Sequence, residues 1–183
     1  PKPATTLQDT AALPAVSLAP LPNYKFGEAV RCRTFWLVSI AFTMSGAAIY
    51  AISVHLMPLA ESVGFSVQTG ALMVTVMTVS SIAGRLGFGW LGDLWDKRYV
   101  ISLALGLEVV SLAAVAYVPR LGVLMTSLAF FGAAYGGTVV LRPAIQADYF
   151  GIRAFGKIQG AMMAVLTISA VIGPVFMGWV FDW

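Results

Sequence analysis

Five stretches of this chain run for a membrane's thickness with almost no ionisable side chain, and that pattern leaves few folds open. They are Thr34 to Met57, Ser66 to Leu91, Tyr99 to Val118, Leu121 to Leu141 and Ile158 to Phe181, and none holds more than one charge. At about 1.5 Å of rise per residue, roughly 20 apolar residues cross a hydrocarbon core about 30 Å thick. Inside lipid each backbone N–H and C=O must find its partner within the protein, which helices achieve segment by segment. The pattern predicts an all-α polytopic membrane protein. Composition agrees: charged residues are 10%, against about 25% in soluble domains, and mean hydropathy is +0.86. In water such a chain would expose far too much apolar surface, so its first partner is the lipid bilayer. No basic stripe stands clear of the apolar runs, which argues against nucleic acid.

The connecting segments divide the rest. Residues 1–23 are rich in Pro, Ala and Thr without periodicity and read as a flexible linker. With no initiator Met in front of it, that linker suggests a fragment of a longer protein. Residues 24–33 are amphipathic and basic (Lys25, Arg31, Arg33), suiting an interfacial helix that feeds the first span. Residues 34–183 form the transmembrane domain, with spans at about 34–57, 66–91, 99–118, 121–141 and 158–181. Pro58 and Glu61 to Gly64 suggest a turn, Pro119-Arg120 a sharp break, and Arg142 to Lys157 a longer polar link.

If the five spans alternate, Arg31, Arg33, Lys97, Arg98, Arg153 and Lys157 share one side of the membrane, and Arg120 is the only basic loop residue opposite. Basic loops mark the cytoplasmic face, so the linker, the Asp93–Arg98 link and the Arg142–Lys157 link are expected there, in the plasma (cell inner) membrane.

The link between spans two and three reads Gly89-x-Leu91-x-Asp93, followed by Lys97-Arg98. It resembles the loop signature of the major facilitator superfamily, with Leu94 in place of its first basic residue and Asp96 in place of its second glycine. Val54-His55-Leu56-Met57-Pro58, the run Arg142 to Gly151, Phe155-Gly156 and Gly173-Pro174 add to the resemblance in order. Together these look like helices seven to eleven of a twelve-helix transporter, truncated before the last helix and without its N-terminal six-helix half. Exit and loop sequences lean towards the monocarboxylate and organic-anion branch. The resemblance implies alternating access, two halves rocking about a midplane site.

Within that frame each polar residue has two readings. Asp93, at the signature position with Gly89, either docks the cytoplasmic ends of helices from opposite halves or marks topology as a solvated carboxylate. Arg85 lies two helical turns before Asp93, on the same face, as an anion contact or gate, or as a snorkelling cation. Glu108 stands alone in the middle of span three, a candidate for proton coupling, although the resemblance makes this helix peripheral and favours packing against a polar neighbour. His55 is a second coupling candidate or an interfacial histidine. Arg142 either meets an anionic substrate or anchors the span end before Pro143. Tyr50, Tyr135 and Thr138 line the pathway by resemblance, or bond to neighbouring helices. Gly132, Gly136 and Gly173-Pro174 read as hinges or as close-packing faces.

No Cys/His pair, HExxH or nucleophile elbow occurs, so neither an enzyme nor a bound metal or cofactor is expected. The sequence is read as a secondary transporter of a small solute; the alternative is a non-transporting receptor or scaffold on the same fold. Topology is directly testable. In a Cys32→Ser background, Lys97→Cys and Arg120→Cys should react with an impermeant thiol reagent from opposite sides. Reaction of both from outside would overturn the assignment.

Overall fold

The computed structural model describes residues 23–118 and 120–181, so residues 1–22 of the expected linker lie outside the described residues. Six helices follow in order: α1 Phe26–Arg31, α2 Arg33–Ser62, α3 Val67–Leu94, α4 Lys97–Tyr117, α5 Leu121–Phe150 and α6 Phe155–Phe181. No strand occurs among the described residues. All but α1 are long and apolar enough to cross a membrane. The short α1 starts where the Lys25 amide donates to the Glu28 carboxylate at 2.8 Å, and it buries Ala29.

The helices outrun the expected spans at their charged ends. Pro58 lies inside α2, which stops only at Ser62; Gly64 turns the chain with φ of +84°. Ser66 then caps α3, its hydroxyl accepting from the Thr69 amide at 3.2 Å. The charged link shrinks to Trp95 and Asp96, because Asp96 accepts the Arg98 amide at 2.9 Å and so starts α4. The expected polar link from Arg142 is corrected most: α5 runs through Arg142 and Pro143 to Phe150. Proline removes one N–H and disfavours the helical state of its predecessor, yet neighbouring helices hold a membrane helix through such a gap. The helix ends instead at Gly151, whose φ of +76° disfavours any side chain.

Residue contacts fix the directions. Phe35 meets Phe150 and Phe42 meets Arg142, so α2 and α5 are antiparallel. Lys97 pairs with Asp148 and Glu108 with Thr138, so α4 also opposes α5. Arg31, Arg33, Lys97, Arg98, Arg153 and Lys157 therefore gather at one end of the bundle. α5 is the hub, packed chiefly on α3 and α4, while α6 leans on α2.

The α3–α5 contact is backbone against backbone. A Cβ on Gly132 would strike the Met77 carbonyl, one on Gly136 the Ser81 carbonyl, and one on Gly84 the Ala133 backbone. Gly137 lies under the Phe88 ring and Gly92 under Leu141. Gly132 and Gly136 are thus close-packing residues, of the small-residue kind that lets membrane helices touch. Of Gly173-Pro174 only the helical backbone within α6 is described. Gly132→Ala should destabilise the protein by about 1–3 kcal/mol, as overpacking does. Gly106→Ala, where nothing lies within 4 Å, should be neutral in the same detergent thermal-unfolding assay.

Candidate functional site

Polar side chains in the apolar part of the bundle collect along two turns of α5. Tyr135, Thr138 and Arg142 follow at intervals of three and four and so share a face, turned towards α2 and α4. Thr138 is fully buried, and its Oγ1 lies 3.2 Å from Glu108 Oε1 of α4 and 2.8 Å from the Tyr135 carbonyl. One hydroxyl proton serves one acceptor at a time. Glu108 is 4% exposed, with Ser45 of α2 near its carboxylate. The Ser45 hydroxyl completes no hydrogen bond among the described residues.

Arg142 is the departure from expectation. It is not a boundary anchor but is buried, 8% exposed, about 12 Å of helix before the end of α5. Its guanidinium stacks over the Phe42 ring at 4.8 Å, a cation–π contact that gains strength away from water. Its Nε has no hydrogen-bond partner among the described residues. Glu108 is close enough to feel the Arg142 charge, but the two are not in ion-pair contact among the described residues. A buried guanidinium and a buried carboxyl group thus share one polar floor without ion-pair contact.

Above this floor the cluster opens. Tyr135 lies within electrostatic range of Tyr50, Arg142, Arg85 and Glu108. Tyr50 and Arg85 are exposed, on α2 and α3 respectively. The sequence candidates Arg85, Tyr50, Tyr135, Thr138, Arg142 and Glu108 therefore converge. His55 does not join them: it is half-buried nearer the other end of α2, its ring facing Gly178 of α6. Ser45 and Phe42 were not singled out from sequence. Their only signal is a shared α2 face at a spacing of three. A cavity of about 150 Å³ lies beside Phe42, lined also by Ser102, Ile145 and Tyr149.

The signature residues form a separate group at the charged end. Lys97 Nζ binds both oxygens of Asp148, at 2.8 and 3.1 Å. Arg98 stacks on Tyr149 at 5.0 Å. Asp93 is exposed in the last turn of α3 and has no hydrogen bond or ion pair among the described residues. At Gly89 an added Cβ would make only ordinary contact with Val140. The tight glycine of this segment is Gly92, not Gly89.

The family model for the Major Facilitator Superfamily matches residues 35–183. The chain is 26% identical over 157 residues to the uncharacterized MFS-type transporter YhjX of Escherichia coli (strain K12), covering 81% of this chain and 38% of that protein. It is 28% identical over 149 residues to monocarboxylate transporter 12 of Rattus norvegicus, covering 79% and 30%. To the oxalate:formate antiporter of Oxalobacter formigenes it is 25% identical over 158 residues, covering 82% and 37%. The chain therefore spans about a third of the length of these relatives.

Coupling across the polar floor can be measured. Arg142→Met leaves Glu108 without its nearby positive field, and removing one member of a buried charge set costs more than removing the set. Arg142→Met should lower the thermal midpoint more than the double variant Arg142→Met/Glu108→Leu, with a coupling of roughly 1–3 kcal/mol. Strictly additive effects would mean that the two charges are independent.

Proposed function

This chain belongs to the major facilitator superfamily, and on that premise we propose that it is part of a secondary active transporter that moves small organic anions by alternating access. It is an integral membrane protein. In this reading it supplies five helices of a six-helix half, and a preceding half of the same protein closes the site from the other side. The linker and the basic end face the cytoplasm of a cell with the protein in its plasma membrane.

The observation that carries the anion reading is the guanidinium of Arg142, buried within a membrane-length helix with its Nε unpartnered among the described residues, with Arg85 in electrostatic range of the same tyrosine. A cation at such depth costs several kcal/mol unless it faces protein, water or a counter-charge. An anionic solute supplies that counter-charge only while bound. Arg85, on the open side, makes the first contact with a carboxylate, which a guanidinium can hold by two parallel hydrogen bonds. Tyr50 and Tyr135 offer hydroxyl donors beside it. Arg142 attracts from below, its unused Nε–H pointing to spare donor capacity. The relatives named for monocarboxylate, oxalate and formate transport favour the same solute class.

For a coupled proton, Glu108 is the better candidate than His55, because it shares the polar floor with Arg142 and His55 does not. Asp93, with Lys97 and Arg98 nearby, serves the gate: its carboxylate is free among the described residues to dock against the facing half.

The test is uptake of labelled monocarboxylate and oxalate by the full-length protein in proteoliposomes. Uptake should exceed that of empty vesicles, and Arg85→Gln should lower it at least tenfold, the scale of one lost charged contact of about 1.4 kcal/mol or more. Asp93→Asn should impair uptake more than Asp96→Asn at matched protein levels, since asparagine caps a helix as well as aspartate does. No uptake of any carboxylate would overturn the substrate class. Equal rates in the two aspartate variants would reduce Asp93 to a topology marker.

A further inference from the structure

Where α5 hands over to α6, the basic end of the bundle carries a cleft of about 420 Å³ that the transport reading does not use. Lys25, Arg153 and Lys157 line it, together with Phe26, Ile152 and Phe155. No carboxylate is among its lining residues. The nearest acid in sequence, Glu28, has its carboxylate on the Lys25 amide at 2.8 Å. Lys25, Arg153 and Lys157 are exposed and make no ion pair among the described residues, in contrast to Lys97 at the same end, which Asp148 neutralises. The cleft sits at a definite depth. The uncharged run of α6 starts at Ile158, directly after Lys157, so the three cations stand at the level where hydrocarbon gives way to headgroups. Ile152 is 73% exposed and Phe26 39% exposed beside them.

We infer that this cleft binds the headgroup phosphate of an anionic phospholipid of the cytoplasmic leaflet. Three converging cations match a phosphodiester and its neighbouring negative charge, and the apolar rim of Phe26 and Ile152 lies where the same molecule's acyl chains begin. A soluble anion would use the cations but gain nothing from that rim. Each basic group near an anionic membrane surface contributes about a fivefold preference, so three together favour anionic over neutral lipid by up to about a hundredfold. The site tethers α1 and the α5–α6 turn to one lipid, and it is independent of which solute is moved.

The experiment uses full-length protein released from nanodiscs of phosphatidylglycerol and phosphatidylcholine, with retained lipid counted by native mass spectrometry. The variant Lys25→Gln/Arg153→Gln/Lys157→Gln should lose phosphatidylglycerol retention at least tenfold and keep phosphatidylcholine retention. Arg120→Gln, at the opposite end, should retain lipid as the parent does. If the triple variant does not fold, Arg153→Gln and Lys157→Gln singly should each lose retention a few-fold. Unchanged phosphatidylglycerol retention in variants that fold would overturn the proposal. So would its full displacement by excess inorganic phosphate at matched ionic strength, which would mark a site for a free anion.

Discussion

Everything in this bundle hangs on how closely α3 and α5 approach. Lipid tails are as apolar as leucine, so no hydrophobic force drives membrane helices together, and contact area at short range has to do it. Gly84 on one helix and Gly132 and Gly136 on the other remove the side chains that would hold the backbones apart. Many weak dispersion contacts then add up along the seam. With α3 pressed on that face, α5 turns its remaining faces to α4 and α2. Tyr135, Thr138 and Arg142 come to lie between helices and not against lipid. The glycine seam and the polar floor are two faces of one helix, and the first orients the second.

The polar floor works against stability in one respect. A guanidinium and a carboxylate inside hydrocarbon are expensive, and here they are not in ion-pair contact to offset each other. What each has instead is partial: Arg142 the Phe42 ring, Glu108 the Thr138 hydroxyl. Incomplete satisfaction of that kind is tolerated where function uses it, since a binding site must keep some donors free for its ligand. The structural pairs at the charged end are finished by comparison. Lys97 binds both oxygens of Asp148, and Asp96 caps α4.

Much of this was legible in the sequence, and the failures share a cause. Long uncharged runs announce membrane helices because each residue's solvation is a local property, so the number and order of helices follow from reading along the chain. Helix ends are less local. Pro143 predicts a boundary from its own backbone chemistry, but α5 continues because α2 and α4 embrace that turn. Arg142 reads as a possible anchor for the same reason, and the continuing helix moves it inward. Among the site residues, Tyr50, Tyr135, Thr138, Arg85 and Glu108 stood out because a polar group inside an apolar run is conspicuous. Ser45 and Phe42 did not, since a small hydroxyl or an aromatic ring is ordinary in a membrane helix until a charged neighbour gives it a role. The tight contact of Gly92 in place of Gly89 was likewise invisible, because a glycine's clearance belongs to the helix opposite.

One carboxylate remains unexplained by these helices alone, and its setting fits the proposed facing half. Asp93 sits in the last turn of α3, where the helix presents its unpaired carbonyls and about half a negative charge. A carboxylate there is repelled, by about 0.3–1 kcal/mol when exposed, and no basic residue occupies the last turn to relieve it. The cations within reach in sequence are otherwise engaged, Lys97 with Asp148 and Arg98 over Tyr149. Asp96, three residues on, has the opposite setting, at the start of α4, where negative charge is favoured. A helix start or a cation arriving from a facing half would reverse the sign at Asp93. It would do so only in the state that brings the two cytoplasmic ends together. A carboxylate that is costly in the open state and stabilised in the closed one is what the proposed latch between two facing states would require.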